Sequence, residues 1–177
     1  MLRYSEVIGL PVICAATGKK AGVIKDIVFC PENKKIAAFE IEKNSCEIKK
    51  KVVLKEDVLS LGKDAMIIEN ENKIIAFKKV KDKLGVKKKG TIIGFKIYTK
   101  YGEDIGVVKD ILFDFEKNTL DGVEVSDGLI QDIVKGRNLL PLLGKVEFGK
   151  ENILVERAAV EEMIETGKGI KGIINKT

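Results

Sequence analysis

The stretch GKKAGVIKDIVF from Gly18 to Phe29 returns as GEDIGVVKDILF from Gly102 to Phe113. Other landmarks recur in the same order: Ile8-Gly9 with Ile93-Gly94, and Phe39-Glu40-Ile41 with Val123-Glu124-Val125. The copies lie roughly 84 to 87 residues apart, which is too long for a solenoid repeat and matches a small complete domain. The sequence therefore predicts two copies of one module.

The repeats set the expected domain boundaries. We assign residues 1–80 to the first module, 81–90 to a lysine-rich linker, 91–158 to the second module, and 159–177 to a C-terminal helix and a basic tail. The helix is predicted because Ala159, Val160, Met163 and Ile164 follow helical spacing and Gly167 provides a stop. Modules of about 80 residues lie near the lower size at which a domain folds without disulfides or metals.

Each module alternates short β-rich segments with turn signals. In the first module, Val12 to Ala16, Val23 to Phe29 and Ile36 to Ile41 are rich in Val, Ile and Phe and too short for typical helices. This pattern predicts an all-β protein in which each module is an antiparallel meander that closes into a small barrel. Closure would remove the unpaired edges that a lone meander exposes.

Both faces of the segment Val23 to Phe29 are mostly apolar, and each face is interrupted once, by Lys25 or by Asp26. The pattern predicts a bend or bulge at this pair, with the two charges either exposed or paired across strands. Recognition of a ligand by the pair is the alternative. Gly22 and Gly106 are expected to serve the backbone geometry where a turn meets a strand.

Composition argues against most enzyme classes. The chain has no histidine, which removes the commonest general base and the commonest transition-metal ligand. The cysteines Cys14, Cys30 and Cys46 form no CxxC pair and are interpreted as reduced thiols. We therefore expect no catalytic residues, no cofactor and no bound metal.

Hydropathy and the N-terminal sequence favour a cytoplasmic protein. The chain contains no run of about 18 apolar residues, so no transmembrane segment is predicted. The first residues run directly into the first repeat, without the basic flank and apolar stretch of a secretion signal. A cytoplasmic location is the expectation.

Taken together, the ordered landmarks resemble those of the PRC-barrel family. They are Ile-Gly near the start of each module, Gly-x-x-x-Gly-x-Val/Ile-x-Asp from Gly18 and from Gly102, and Leu140-Pro141 followed by Gly149-Lys150-Glu151. The first module departs from this pattern, because it carries Leu54-Lys55 where the second carries Leu140-Pro141.

The family is named for a domain of the photosynthetic reaction-centre H subunit, and the C-terminal part of the ribosome maturation factor RimM is similar. The tandem arrangement resembles two-barrel proteins of spore-forming Gram-positive bacteria. The resemblance implies two PRC-type barrels and a habit of protein-protein contact. It implies no catalytic residue set.

The largest difference between the repeats is an apolar segment in the second module. Leu129, Ile130, Ile133 and Val134 fall on one face of a short helix or loop. This face either folds onto the barrel as a lid or serves as an exposed anchor for a protein partner or a second copy. Leu129 and Ile133 are the strongest candidates for partner contact.

The linker forms a basic patch that includes Lys83, Lys87, Lys88 and Lys89. These lysines could neutralise phosphates on RNA or lie against acidic lipid headgroups. The patch contains no aromatic residues for base stacking, and a solvated spacer of mutually repelling charges is the alternative.

These observations favour a non-enzymatic adaptor that works through protein-protein contacts, with self-association as a further expectation. The alternative is an RNA- or ribosome-associated factor that binds phosphate through the linker lysines. Salt dependence separates the two classes, since contacts to phosphate weaken steeply with added salt.

Overall fold

In the computed structural model, the described residues are 1–30, 33–43, 49–80, 92–127, 138–142 and 146–165. They form two compact units. The first unit comprises Leu2–Thr91 together with Phe115–Thr119, and the second comprises Met1, Ile92–Asp114 and Leu120–Thr177.

The described residues of the first repeat form eight strands and one helical turn. In chain order these are β1 (Leu2–Arg3), α1 (Tyr4–Val7), β2 (Pro11–Cys14), β3 (Lys20–Cys30), β4 (Lys35–Glu42), β5 (Lys51–Leu54), β6 (Val58–Leu61), β7 (Met66–Ile68) and β8 (Ile75–Ala76). Three 3-10 turns join the later strands, at Lys55–Asp57, Glu71–Lys73 and Phe77–Lys79.

The second repeat follows the same plan. Its elements are β9 (Lys96–Thr99), β10 (Asp104–Asp114), β11 (Thr119–Ser126), β12 (Asn138–Pro141), β13 (Val146–Phe148), β14 (Asn152–Val155), α2 (Arg157–Glu161) and β15 (Ile164–Glu165). The long third strand and long fourth strand of the first repeat, β3 and β4, thus return as β10 and β11.

The two sheets have the same strand order. It is β6-β7-β2-β3-β4-β5-β8 in the first repeat and β13-β14-β9-β10-β11-β12-β15 in the second. The pairs β3–β4 and β4–β5 are antiparallel and form the predicted meander, whereas β2 pairs with β7 and β9 pairs with β14 in parallel. The prediction of a mainly β fold in two copies is confirmed.

The C-terminal helix is present but shorter than the spacing predicted. It ends at Glu161, and β15 then pairs with β12 through Leu139 opposite Ile164. The corresponding pair in the first repeat is Val52 opposite Ile75. Extending the helix through Ile164 was wrong, because strand pairing supplies hydrogen-bond partners along β12 that a longer helix would leave unmade.

The register of the sheets also corrects one alignment of the two repeats. Phe39 lies opposite Val53, and Val123 lies opposite Leu140. Leu140-Pro141 therefore corresponds to Val53-Leu54 and not to Leu54-Lys55. Pro141 thus corresponds to Leu54, the last residue of β5, and not to Lys55, the first residue of the 3-10 turn.

Buried apolar side chains fill the interior of each unit. In the first unit, Val28, Ala38, Val52 and Val80 form one cluster, against which Leu54, Ile75 and Phe77 pack. In the second unit, the side chains with no exposed surface are Ile97, Val108, Ile111, Phe113, Val123, Leu140, Ile153 and Val155. Because each Å² of apolar surface removed from water stabilises the fold by about 25 cal/mol, these clusters are the main source of stability.

The second glycine of each Gly-x-x-x-Gly motif lies directly after a bulge. Lys20 and Gly22 pair with Ile13 and Val12, so Ala21 is the extra residue. Gly106 has a φ of +128°, and a Cβ atom there would collide with the Ser126 carbonyl oxygen. At Gly22 a Cβ atom would approach the Glu42 carbonyl oxygen to 2.7 Å. The structure confirms that both glycines serve backbone geometry.

Candidate functional site

The outer face of the first sheet carries an apolar pair on its parallel strands. Val12 and Met66 point inwards and are fully buried, whereas their neighbours Ile13 and Ile67 point to the other face and are half-buried. Ile13 lies directly opposite Ile67 in the parallel register. Strands with one face in solvent normally alternate apolar and polar residues, so an outward apolar pair is unusual.

The second sheet has an apolar pair at the same place. Ile97 and Ile153 are fully buried, and Tyr98 lies opposite Leu154 on the outer face. Leu154 is 38% exposed, and the Lys96 ammonium lies 5.8 Å from the centre of the Tyr98 ring. Both repeats therefore present two apolar side chains outwards on the strands that pair in parallel, as Ile-Ile in the first and Tyr-Leu in the second.

A groove lies beside the glycine bulge in each repeat. The groove of the first repeat is about 420 Å³ and is lined by Lys20, Ala21, Gly22, Lys43 and Glu71. The groove of the second repeat is about 520 Å³, and its lining residues are Lys96, Asp104, Ile105, Gly106, Val107, Lys109, Ser126 and Asp127. The missing Cβ atom at the bulge lets the carbonyl group of Glu42 or of Ser126 approach the glycine closely.

The two grooves carry opposite charges at equivalent backbone positions. Lys20 and Asp104 correspond because each stands two residues before the bulge glycine. Lys43 and Asp127 correspond because each directly follows the residue whose carbonyl group lies against that glycine. In the adjoining turns, Lys19 corresponds to Glu103. The first groove and its turn therefore hold three lysines and one glutamate, whereas the second holds three acids and the two lysines Lys96 and Lys109.

Ion pairs organise the charged groups of each groove. Lys43 Nζ lies 2.7 Å from Glu71 Oε2, and this hydrogen bond and charge, with a smaller contribution from Lys19, hold the pKa of Glu71 below its ordinary value. In the second groove, Lys96 Nζ lies 3.2 Å from Asp104 Oδ2, and the contact raises the pKa of Lys96. Lys43 is thus paired with Glu71, and Lys19 and Lys20 add positive charge beside the first groove.

The turn that borders the second groove is held by hydrogen bonds to Thr99, which is buried. Its hydroxyl accepts hydrogen bonds from the backbone N–H groups of Tyr101 (3.3 Å) and Glu103 (3.1 Å), and it donates to the Glu103 carboxylate (3.2 Å). Asp104 Oδ1 accepts from the N–H of Gly106 at 3.0 Å. The ring of Tyr101, by contrast, is 81% exposed. A fixed turn therefore presents an aromatic ring and two carboxylates.

The Lys25-Asp26 pair has a structural role. The register shifts between Ile24 and Asp26, which confirms the predicted bulge. Lys25 Nζ lies 3.1 Å from Glu42 on the neighbouring strand, and Asp26 accepts hydrogen bonds from the Tyr4 hydroxyl (2.9 Å) and the Ile27 N–H (2.8 Å). The same pattern returns at Asp110, which is buried and accepts from the Ile111 N–H at 2.8 Å.

All of the residues that the sequence singled out for partner contact or as a basic patch lie outside the described residues. These are Leu129, Ile130, Ile133 and Val134 of the apolar segment and Lys83, Lys87, Lys88 and Lys89 of the linker. Cys46 lies outside them as well. Cys14 and Cys30 are free thiols. The partner-contact segment and the basic linker therefore stay predictions.

The described part of the chain has neither a metal-binding cluster nor a membrane-spanning helix. Among those residues, no three Asp, Glu or Cys side chains come together in a way that could hold a metal ion. Within the same ranges, no helix is long and apolar enough to cross a membrane.

Sequence reasoning missed the outward apolar pairs and the opposite charges of the grooves. The charge reversal could have been predicted by aligning the repeats, because Lys19-Lys20 aligns with Glu103-Asp104. The apolar pairs were not readable in this way. Their strands are short, and their parallel pairing joins residues far apart in the chain.

Comparison with protein families explains the repeated architecture. The model of the PRC-barrel domain matches the chain twice, at residues 1–74 and at residues 86–161. The chain belongs to the PRC-barrel family. Its two PRC barrels account for the duplicated strand order and for the paired glycine motifs. A comparison with curated proteins found no match.

Proposed function

We propose that this tandem PRC-barrel protein is a non-enzymatic adaptor of the cytoplasm that binds protein partners through the outer faces of its two sheets. The observation that supports this most is the outward apolar pair on each sheet, Ile13 with Ile67 and Tyr98 with Leu154. Equivalent positions in both repeats keep apolar side chains where a solvated sheet face would carry polar ones.

The chemistry of the second pair suits a protein interface. Tyrosine is enriched at the centre of interfaces, because its ring buries a large apolar area with few rotatable bonds. Leu154 lies beside Tyr98 and adds an aliphatic surface that a partner side chain could cover. Burial of both side chains by a partner would favour binding by about 25 cal/mol for each Å² of apolar surface removed from water.

Two modules on one chain suit an adaptor in particular. The outer pair is Ile-Ile in the first module and Tyr-Leu in the second, so the two faces are able to select different partners. Because the two modules are joined, partners bound to them are held close together. Each partner is then present at a high effective concentration for the other.

The proposal that the protein is not an enzyme rests on residue types. A chain without histidine lacks the side chain that most often transfers protons near neutral pH. The exposed carboxylates Glu103 and Asp104 contact Thr99 and Lys96, and these contacts help to hold the turn.

The test is capture of partners from a cell lysate by the tagged full-length chain, washed at low and at high salt. Leu154→Lys should abolish capture of partners that survive high salt, because it places a charge in the apolar pair. The variant should still fold, because the new lysine would lie opposite the acidic Glu147 on β13. Asn152→Lys is the matched control, since it adds the same charge to an exposed position on the same face of β14.

Three outcomes would contradict the proposal. Partners that are captured equally by the wild-type chain, by Leu154→Lys and by Ile67→Lys would show that the outer faces do not bind them. Captured material that is lost with nuclease and with added salt would indicate RNA as the partner. Recovery of no specific partner under either wash would remove the adaptor function.

A further inference from the structure

The basic groove of the first module and the acidic turn of the second are complementary surfaces on one chain. Lys19, Lys20 and Lys43 in the first module occupy the backbone positions that Glu103, Asp104 and Asp127 occupy in the second. The first set keeps two net positive charges after Glu71 is counted. The second keeps one net negative charge after Lys96 and Lys109 are counted.

We propose that copies of this protein associate head to tail, with the turn Tyr101–Asp104 of one copy docked in the groove formed by Lys20, Gly22 and Lys43 of the next. This inference rests on the proposed function as a protein-binding module and names a second copy of the chain as one partner.

The shape of the turn supports this choice of occupant. Tyr101 is 81% exposed at its tip, and the carboxylates of Glu103 and Asp104 follow it. The hydrogen bonds of Tyr101 and Glu103 to Thr99 hold the backbone in place before any contact forms. Less conformational entropy is then lost on docking, which favours association.

The groove offers the matching features. It is about 420 Å³, lies beside the bulge at Gly22, and is bordered by Lys19 and Lys20, both exposed. At ordinary ionic strength, the lysines of the groove attract the carboxylates of a second copy over about one Debye length. A contact between two different surfaces of the same chain is heterologous, so it produces either a ring or an open chain of copies.

Reciprocal charge exchange tests the inference on the full-length, nuclease-treated protein. The basic variant set replaces basic residues of the first module by acids, as Lys19→Glu with Lys20→Asp. The acidic variant set replaces acids of the second module by lysines, as Glu103→Lys with Asp127→Lys. Asp104 is left unchanged because it also holds the bulge through Gly106. Sedimentation velocity over a wide concentration range, at low and at high salt, reports the association of each protein alone and in mixtures.

We expect the wild-type chain to associate at low salt and to dissociate at high salt. Each variant alone should associate at least about tenfold more weakly, because like charges then meet. An equimolar mixture of the two variants should regain association, since each then offers the surface that the other lacks. A chain that carries all four substitutions should also regain it.

Lys63→Glu with Lys78→Glu is the control for net charge, because both lysines are exposed and lie outside the groove. A wild-type chain that stays monomeric at every concentration at low salt would overturn the inference. So would a charge control that weakens association as much as the basic variant set. Neither result bears on the salt-resistant capture through Leu154, so the two proposals fail separately.

Discussion

The two grooves share a backbone and differ in charge. Each lies beside a bulge that ends in glycine, and each is bordered by the strand end at Glu42 or Ser126. Yet Lys20 and Lys43 of the first groove are replaced by Asp104 and Asp127 in the second. The difference shows that the bulge is fixed by backbone sterics, whereas the exposed charges around it are free to change without altering the fold.

The buried acids of the two modules show the opposite behaviour. Glu40 and Glu124 occupy equivalent positions, and both are almost fully buried. Glu40 accepts a 2.5 Å hydrogen bond from Lys50 Nζ. A buried carboxylate must keep its partners, because an unpaired charge in the interior costs several kcal/mol. The same acid is therefore kept at this buried position in both repeats, whereas the exposed charges of the grooves diverge.

The largest effect that would sharpen this comparison is expected at the bulge glycines. Gly106→Ala should destabilise the second module by about 2–3 kcal/mol, since the new methyl group meets a backbone carbonyl at a positive φ. Gly22→Ala should cost less, about 1–2 kcal/mol, because its contact with a backbone carbonyl oxygen is longer and its φ is close to extended. Hydrogen exchange read by mass spectrometry would assign each loss to β10–β11 or to β3–β4.

Gly62→Ala is the control for the glycine variants, because its new methyl group would meet only the Ala65 carbonyl oxygen at 3.6 Å. Its effect on stability should be within about 0.5 kcal/mol. Equal losses of protection from Gly62→Ala and Gly106→Ala would contradict the steric role of the bulge.

A smaller effect is expected at the ion pair of the first module. Lys50→Met should destabilise that module by about 1–2 kcal/mol, because it leaves the buried Glu40 side chain without this hydrogen-bond donor. The estimate is reduced from that of a fully buried pair because 42% of the Lys50 side chain is exposed. Urea unfolding measures it, and Lys49→Met, at an exposed neighbouring lysine, should leave stability unchanged.

The smallest effect concerns the charge of the first groove as pH falls. Glu71 has a lowered pKa, so its pair with Lys43 is present above that pKa and is lost as pH falls through it. Carbon-13 NMR should find the Glu71 midpoint below that of an ordinary glutamate. Lys43→Gln should raise the midpoint, because it removes the main cause of the shift. A midpoint that does not move would mean that Lys43 and Glu71 do not pair in solution.

The fold was largely predictable because the repeat itself carried the information. Gly22 and Gly106 stand at the same place in two copies, which revealed both the duplicated module and the geometric role of the glycine. The bulge at Lys25-Asp26 was predictable as well, since a charge interrupts each apolar face. Local pattern was sufficient at these positions because their cause is local.

The rest depended on contacts between distant residues. Nothing near Ile164 signals that it pairs with Leu139, so helical spacing was the better local guess and was wrong. The pairing of Tyr98 with Leu154 likewise appears only when β9 and β14 are brought together. The apolar segment that includes Leu129 and Ile133 remains a sequence-based candidate for partner contact.

The parallel pairs have a consequence for synthesis on the ribosome. β2 stays without its parallel neighbour until Met66–Ile68 has been made, which delays completion of the first sheet. That sheet is nevertheless complete at Ala76, before β9 begins at Lys96. The nascent chain can therefore finish one sheet before the strands of its twin emerge, which limits the exchange of matching strands between two such similar repeats.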